Sequence, residues 1–366
     1  MKRLVSVLFA VALAACACFA DAEKANETSY SVLVFGDVHF DSMEFRNNLD
    51  GLKEYQKKEL KRNLAKWEPE ETAAIPNMLK DARRISAGTA FGVQLGDISQ
   101  GDCGSAELQK KAFSAVLGKL ALARPEKNAE WQFFAVKGNH DIRGAGAQEA
   151  YKAVMLPYLE TQFREKCPVA GRADFALKHG PDLYIFFDSI GAEERDLQFV
   201  EKALERHGDA RHVFFLTHLP VIPASQGRAF WIVFERKTPL RRRLLDLLAA
   251  RKAIVLAAHI HNTTLNTYSS KAGTITQFTS FSMPAGWKDT VDFTEKDYTA
   301  ELKTTMDKAK KNHDDEMADF NDSLGKCRLF SPGSSYNVMR VADAQVTIER
   351  HAASGGNVQT IQLIEK

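Results

Sequence analysis

The sequence predicts an α/β layered fold, and three observations lead there. Short apolar runs rich in β-branched and aromatic residues recur along the chain up to residue 261. These runs are near-continuous rather than alternating, as in strands buried on both faces. Helix-like segments separate them, and strands alternating with helices build layered α/β domains.

The elements follow in order. The runs are YSVLVFG at 30–36, TAFGVQLG at 89–96, WQFFAVKG at 131–138, DLYIFFDS at 182–189, HVFFLTH at 212–218 and AIVLAAH at 253–259. Helix-like segments occupy 53–66, 72–87, 105–123, 147–163, 193–207 and 238–251. Beyond 261 the character changes. TTLNTYSSKAGTITQFTSFSM alternates and is rich in Thr and Ser, as in a partly exposed antiparallel sheet. Residues 286–330 are highly charged and read as a helical insertion. YNVMRVADAQVTIER reads as a hairpin around Ala342-Asp343-Ala344, and 331–366 as strands completing the second sheet.

The chain opens with Lys2 and Arg3, then an apolar stretch from Leu4 to Ala15. About twelve apolar residues suit a secretory signal and fall short of the roughly 20 that span a bilayer. Residues 1–22 are therefore set apart from the fold, and 30–285 is the expected core. Ala20-Asp21-Ala22 fits cleavage to a soluble exported protein, periplasmic or secreted. Leu13-Ala14-Ala15-Cys16 equally fits lipoprotein processing, with a cut before Cys16 and a lipid anchor at a membrane surface.

Of 49 basic side chains, Lys2 and Arg3 leave with residues 1–15, so 47 face 47 acidic ones. That balance argues against general nucleic-acid binding. Arg241-Arg242-Arg243 reads as a solvated helix face. Cys103, Cys167 and Cys327 lack metal-ligand spacing; export would permit one disulfide among them.

The polar residues fall where the apolar runs end. The first run ends in Gly36-Asp37-Val38-His39, the second in Gly96-Asp97, and the third in Gly138-Asn139-His140-Asp141. Later runs end in Thr217-His218 and in His259-Ile260-His261. Ligands of open α/β sheets bind at the carboxyl ends of strands. Half of the ten histidines sit at these ends, which a set of unrelated turns does not explain; the other five read as surface residues.

As a set, Asp37-x-His39, Gly96-Asp97, Gly138-Asn139-His140-Asp141, His218 and His259-x-His261 resemble the blocks of the calcineurin-like metallophosphoesterases, over roughly residues 30 to 285. The resemblance implies a four-layer α/β/β/α sandwich. It implies two divalent or trivalent metal ions, Mn, Fe or Zn, which oxygen and imidazole ligands suit. Asp37, His39, Asp97 and His261 would hold one ion. Asp97, Asn139, His218 and His259 would hold the other, with Asp97 as the bridge. His140 would assist the leaving group, and Asp141 would orient its imidazole.

Two departures from the family pattern stand out. Ala258 replaces the usual Gly before His259, adding a methyl beside a ligand. The purple branch has Gly for His39 and a metal-binding Tyr where this chain has Gln100, so the resemblance is to the non-purple branch.

The expected substrate is a phosphate ester. Narrower or different readings are a nucleotide or cyclic-nucleotide phosphodiesterase, and a metal-containing envelope binding protein without turnover. The absence of GxSxG argues against a serine hydrolase. Substrate choice is expected in loops 40–52, 99–105, 142–147 and 221–236. Arg143 and Arg228 are weak candidates for phosphate contacts. Oligomeric state has no signature.

Overall fold

The structure is a computed structural model that describes residues 29–365, apart from 48, 71–72, 129, 284–292, 309–319, 321, 334 and 353–355. The leader call therefore lies outside the described residues. No helix among the described residues is long and apolar enough to cross a membrane.

Two sheets form the centre. The first contains β1 (Tyr30–Phe35), β2 (Phe91–Gln94) and β3 (Phe133–Ala135), paired in parallel. Antiparallel β12 (Ser335–Val341), β13 (Gln345–Ala352) and β14 (Val358–Glu365) extend it beyond β1. The second sheet has a parallel centre of β5 (Asp182–Phe187), β6 (Val213–Thr217), β7 (Ile254–Ala257) and β9 (Gly273–Thr279). One edge is β4 (Phe175–His179), whose half-exposed pattern left no apolar run to read. At the other edge lie β8 (Thr264–Ser270), β11 (Leu324–Phe330) and β10 (Glu295–Asp297).

The unbroken apolar runs reflect burial on both faces. Along β5, Tyr184 and Phe186 meet the first sheet: their rings lie 5.2 Å from Phe91 and 5.4 Å from Phe134. Leu183, Ile185 and Phe187 point the other way, into a core with Leu197, Val200, Leu244 and Leu248 from helices Glu194–Arg206 and Thr238–Ala250. Helix Ala74–Ser86 packs on β1 and β12 outside the first sheet. Mixed α/β layering with two central sheets is thus as expected.

Four local expectations are corrected. The C-terminal strands join the first sheet, not the second, because β12 pairs with β1 from Tyr30↔Val341 to Val34↔Asn337. Residues 286–330 are not wholly helical: the described part has a helix at 299–308, but β10 and β11 add to the second sheet. His212 is buried and its Nε2 pairs with the Ala342 carbonyl at 3.0 Å. Arg241 is also buried. Its guanidinium donates to the carbonyls of Phe234 and Glu235, at 3.1 and 2.8 Å, and lies over the Phe320 ring. Cys103, Cys167 and Cys327 are all free thiols.

Arg241→Ala would strand buried carbonyls and open a cavity. The expected loss is about 2–3 kcal/mol, read as a lower urea midpoint at unchanged slope. A shift within about 0.5 kcal/mol would mark Arg241 as an ordinary surface residue.

Candidate metal centre

The carboxyl ends of β1, β2 and β3 in one sheet meet those of β6 and β7 in the other. Asp37 and His39 follow β1, and Asp97 follows β2. Asn139 and His140 follow β3, His218 follows β6, and His259 and His261 follow β7. The chain must turn sharply at each end. His39, Asp97, His259 and His261 all take left-handed backbone, with φ of 45°, 55°, 66° and 55°. Such conformations cost non-glycine residues of order 1–3 kcal/mol each and cluster at functional sites.

Glycines permit the close approach of these turns. At Gly138 a Cβ would lie 2.0 Å from the Asp97 nitrogen. At Gly96, with φ of 95°, it would lie 2.4 Å from Nδ1 of His218. Ala258 causes no comparable difficulty: it is fully buried in the inter-sheet core, and its N–H donates to the His218 carbonyl at 3.1 Å.

The side chains converge in three overlapping groups: Asp37, His39 and His261; His39, Asp97 and His140; and Asp97, His218 and His259. Within each, the potential ligand atoms lie within 4.8 Å of one another. Nε2 of His261 is 3.4 Å from Oδ2 of Asp37, and Nε2 of His39 is 3.8 Å from Oδ2 of Asp97. Nε2 of His218 is 3.3 Å from Oδ2 of Asp97, 3.1 Å from Oδ1 of Asn139 and 3.1 Å from Nδ1 of His259. All seven expected ligands therefore share one crevice.

The donor set fits cations. Both ring nitrogens of His39 and Oδ2 of Asp97 are buried without a hydrogen-bond partner. Buried polar atoms left so cost about 1–3 kcal/mol each unless something else satisfies them. Burial, with repulsion from His218, holds the His259 imidazole down at about 2. Burial, then Arg228, holds His261 down at about 3. Both rings therefore stay neutral, as ligation requires. Burial alone would lower His218 too, but Asp97 and Asp37 outweigh it and raise the ring to about 9. Burial, together with Asp97, lifts Asp37 to about 7.

His140 is placed differently from the ligands. Its Nδ1 faces the Gln100 carbonyl at 3.0 Å, and its Nε2 lies 3.2 Å from Nη1 of Arg143. The Gln100 side chain turns away and donates to Glu59 at 3.0 Å. The role expected for Asp141 is corrected. Its Oδ1 accepts from the Ser99 N–H at 2.9 Å and its Oδ2 from the Gly138 N–H at 2.8 Å. The 3-10 turn His140–Ile142 carries its carboxylate away from the imidazole. Asp141 thus clamps the two ligand-bearing turns, and a backbone carbonyl orients His140.

Other residues escaped the sequence reading. Ser282 Oγ is 2.6 Å from Nδ1 of His261 and donates to Asp37 at 3.2 Å, but its position in a Ser- and Thr-rich stretch carried no signal. Lys66 is buried near Asp37; burial, then Arg62, lowers its ammonium to about 8. Arg143 is neutralised by Glu59 at 3.1 Å and Asp102 at 2.6 Å. Arg228 instead donates to the His259 carbonyl at 2.9 Å.

No curated protein matches the chain in sequence. Among solved structures it is similar to a purple acid phosphatase from yellow lupin (Lupinus luteus) seeds, with 13% identity and a TM-score of 0.54. That likeness covers 92% of this chain and 54% of the lupin chain, so this chain spans about half the lupin enzyme. A dimetal phosphatase from Danio rerio shares 12% identity at a TM-score of 0.51, over 92% of this chain and 99% of that one. The protein PhoD shares 10% at 0.52, over 92% and 68%. At such identities these likenesses show the fold alone. The sequence profile of the calcineurin-like phosphoesterases matches residues 30–263, which contain every candidate ligand and His140. The chain therefore belongs to the calcineurin-like phosphoesterase family.

Proposed function

We propose that the chain is a metal-dependent phosphoric ester hydrolase that uses two cations held side by side. Asp37, His39, Asp97 and His261 hold one, and Asp97, Asn139, His218 and His259 hold the other. The observation that carries this reading is the convergence of these seven side chains on one buried crevice, with three of their polar atoms lacking a hydrogen-bond partner. Cations bound there supply charge neutralisation for phosphate oxygens and make water a better nucleophile.

The chain's own residues orient the rest. Asp97 can offer Oδ2 to both sites because its Oδ1 is engaged by the His140 N–H at 2.8 Å. Ser282 and the Leu95 carbonyl, 2.9 Å from Nδ1 of His218, fix two of the imidazoles. With Nδ1–H of His140 directed to the Gln100 carbonyl, Nε2 is the nitrogen left to exchange a proton with a leaving alkoxide. Arg143, close to that nitrogen but neutralised by two carboxylates, steers the ring rather than competing for phosphate.

Export belongs to the same proposal, supported by the leader-like residues 1–22. The intact mass of protein recovered from a bacterial envelope should correspond to cleavage near Ala22, or before Cys16 with added acyl mass. An uncleaved chain in the cytosol would contradict export.

Asp97→Ala should abolish turnover and reduce bound metal to one ion or none, measured by elemental analysis. Two retained ions with intact turnover would refute the bridge.

His140→Ala should retain both metals and lower turnover by about 10² to 10⁴. The loss should be larger for alkyl phosphates than for nitrophenyl phosphate, whose leaving oxygen needs little protonation. Equal losses on both would favour plain charge stabilisation, and loss of an ion would move His140 among the ligands.

A further inference from the structure

A groove of about 490 Å³ adjoins the metal centre, between the loop at 224–228 and the edge of the second sheet. Ile260 and Asn262, the chain neighbours of the ligand His261, form part of its lining, and Arg228 in the same lining donates to the carbonyl of the ligand His259 at 2.9 Å. The opposite wall comes from Lys296, Tyr298 and Leu329, all within the charged insertion.

The groove is pre-formed. The buried Tyr298 hydroxyl donates to the Ala224 carbonyl at 2.7 Å and accepts from Nδ2 of Asn266 at 2.9 Å, which ties the insertion to the loop. Asn262 donates to Ser225 Oγ at 3.2 Å across the same gap. Its charge is one-sided: no carboxylate is among the described residues that line it, while Arg228 and Lys296 both do. Lys296 pairs with Glu301 at 2.6 Å, which offsets its charge. The partners of Arg228 are a carbonyl and the face of Trp231, 4.7 Å from its guanidinium carbon. Neither neutralises it. Among the described residues, Arg228 is thus a held cation with no carboxylate partner, where the groove meets the ligand His259.

We propose that this groove is a leaving-group subsite, which selects phosphate esters whose alcohol half carries a second anionic group. The inference rests on the hydrolase reading above and gives the insertion its role. The transferred phosphoryl group occupies the metal centre, and the alcohol half extends past Ile260. Its carboxylate or second phosphate meets Arg228 or Lys296, and its hydroxyls meet Ser225 and Asn262.

The test compares butyl phosphate with 4-(phosphonooxy)butanoate, which differ by one terminal carboxylate. The wild-type enzyme should favour the carboxylated ester in kcat/KM by about tenfold or more, the value of one charge-assisted contact. Arg228→Gln should bring that ratio towards one. Arg228 touches the backbone of a ligand, so Lys296→Glu, on a largely exposed strand, serves as the second variant and should also lower the ratio. A wild-type ratio near one, or a ratio unmoved in both variants, would overturn the subsite. If the metal-loaded enzyme hydrolyses neither ester nor nitrophenyl phosphate, the hydrolase reading itself fails.

Discussion

Asp97 is the group on which the rest of the site depends. Its carbonyl accepts the N–H groups of Val38 and His39, at 3.2 and 2.9 Å, and so fastens the turn after β1 to the turn after β2. Its Oδ1 accepts the His140 N–H and fastens the turn after β3. Its Oδ2 faces His39 in the first sheet's half and His218 in the second's, with no hydrogen-bond donor of its own. One residue in left-handed backbone thereby joins three strand ends and presents an unused oxygen to imidazoles from both sheets. Replacing either neighbouring glycine would push a Cβ into Asp97 or His218, which explains the Gly-Asp and Gly-Asn spellings in atomic terms.

A second set of contacts holds the two sheets in register at the site. The Met283 N–H donates to the Asp37 carbonyl at 2.7 Å, and the His259 N–H reaches Oδ1 of Asp37 at 3.3 Å. Asp141 clamps Ser99 to Gly138. Each contact joins backbone to a fully buried carboxylate or to a carbonyl at a strand end. The strain of four left-handed ligand residues persists because these bonds over-determine their turns. A pre-ordered crevice in turn spares a bound cation or phosphate ester the entropy of assembling it.

Outside the crevice, the chain uses its later segments to build around the site rather than to form a separate unit. β12 to β14 widen the first sheet, and β10 and β11 widen the second. The charged insertion is anchored by Tyr298 and by Phe320, which stacks under the buried Arg241. This anchoring brings Lys296 and Leu329 beside the loop that carries Arg228.

Much of this was legible in the chain, for a physical reason. Strands buried on both faces must be apolar at every position, so β1, β2, β3, β5, β6 and β7 stood out as unbroken runs. Polar residues at their ends had to be exposed to a crevice or used in one, so Asp37, His39, Asp97, Asn139, His218, His259 and His261 were readable as a set. Arg241 was also within reach, since it shares the helical spacing of the buried Leu244, Leu245 and Leu248. Other features depended on tertiary structure alone. β12, interrupted by the polar Ser335, Asn337 and Arg340, does not state which partner it pairs with, because that partner lies some 300 residues away. Adjacency made Asp141 look like the orienter of His140, but one 3-10 turn separates their directions. The Gln100 carbonyl and the Arg228 groove involve backbone atoms and distant loops, whose positions exist only once both sheets have closed.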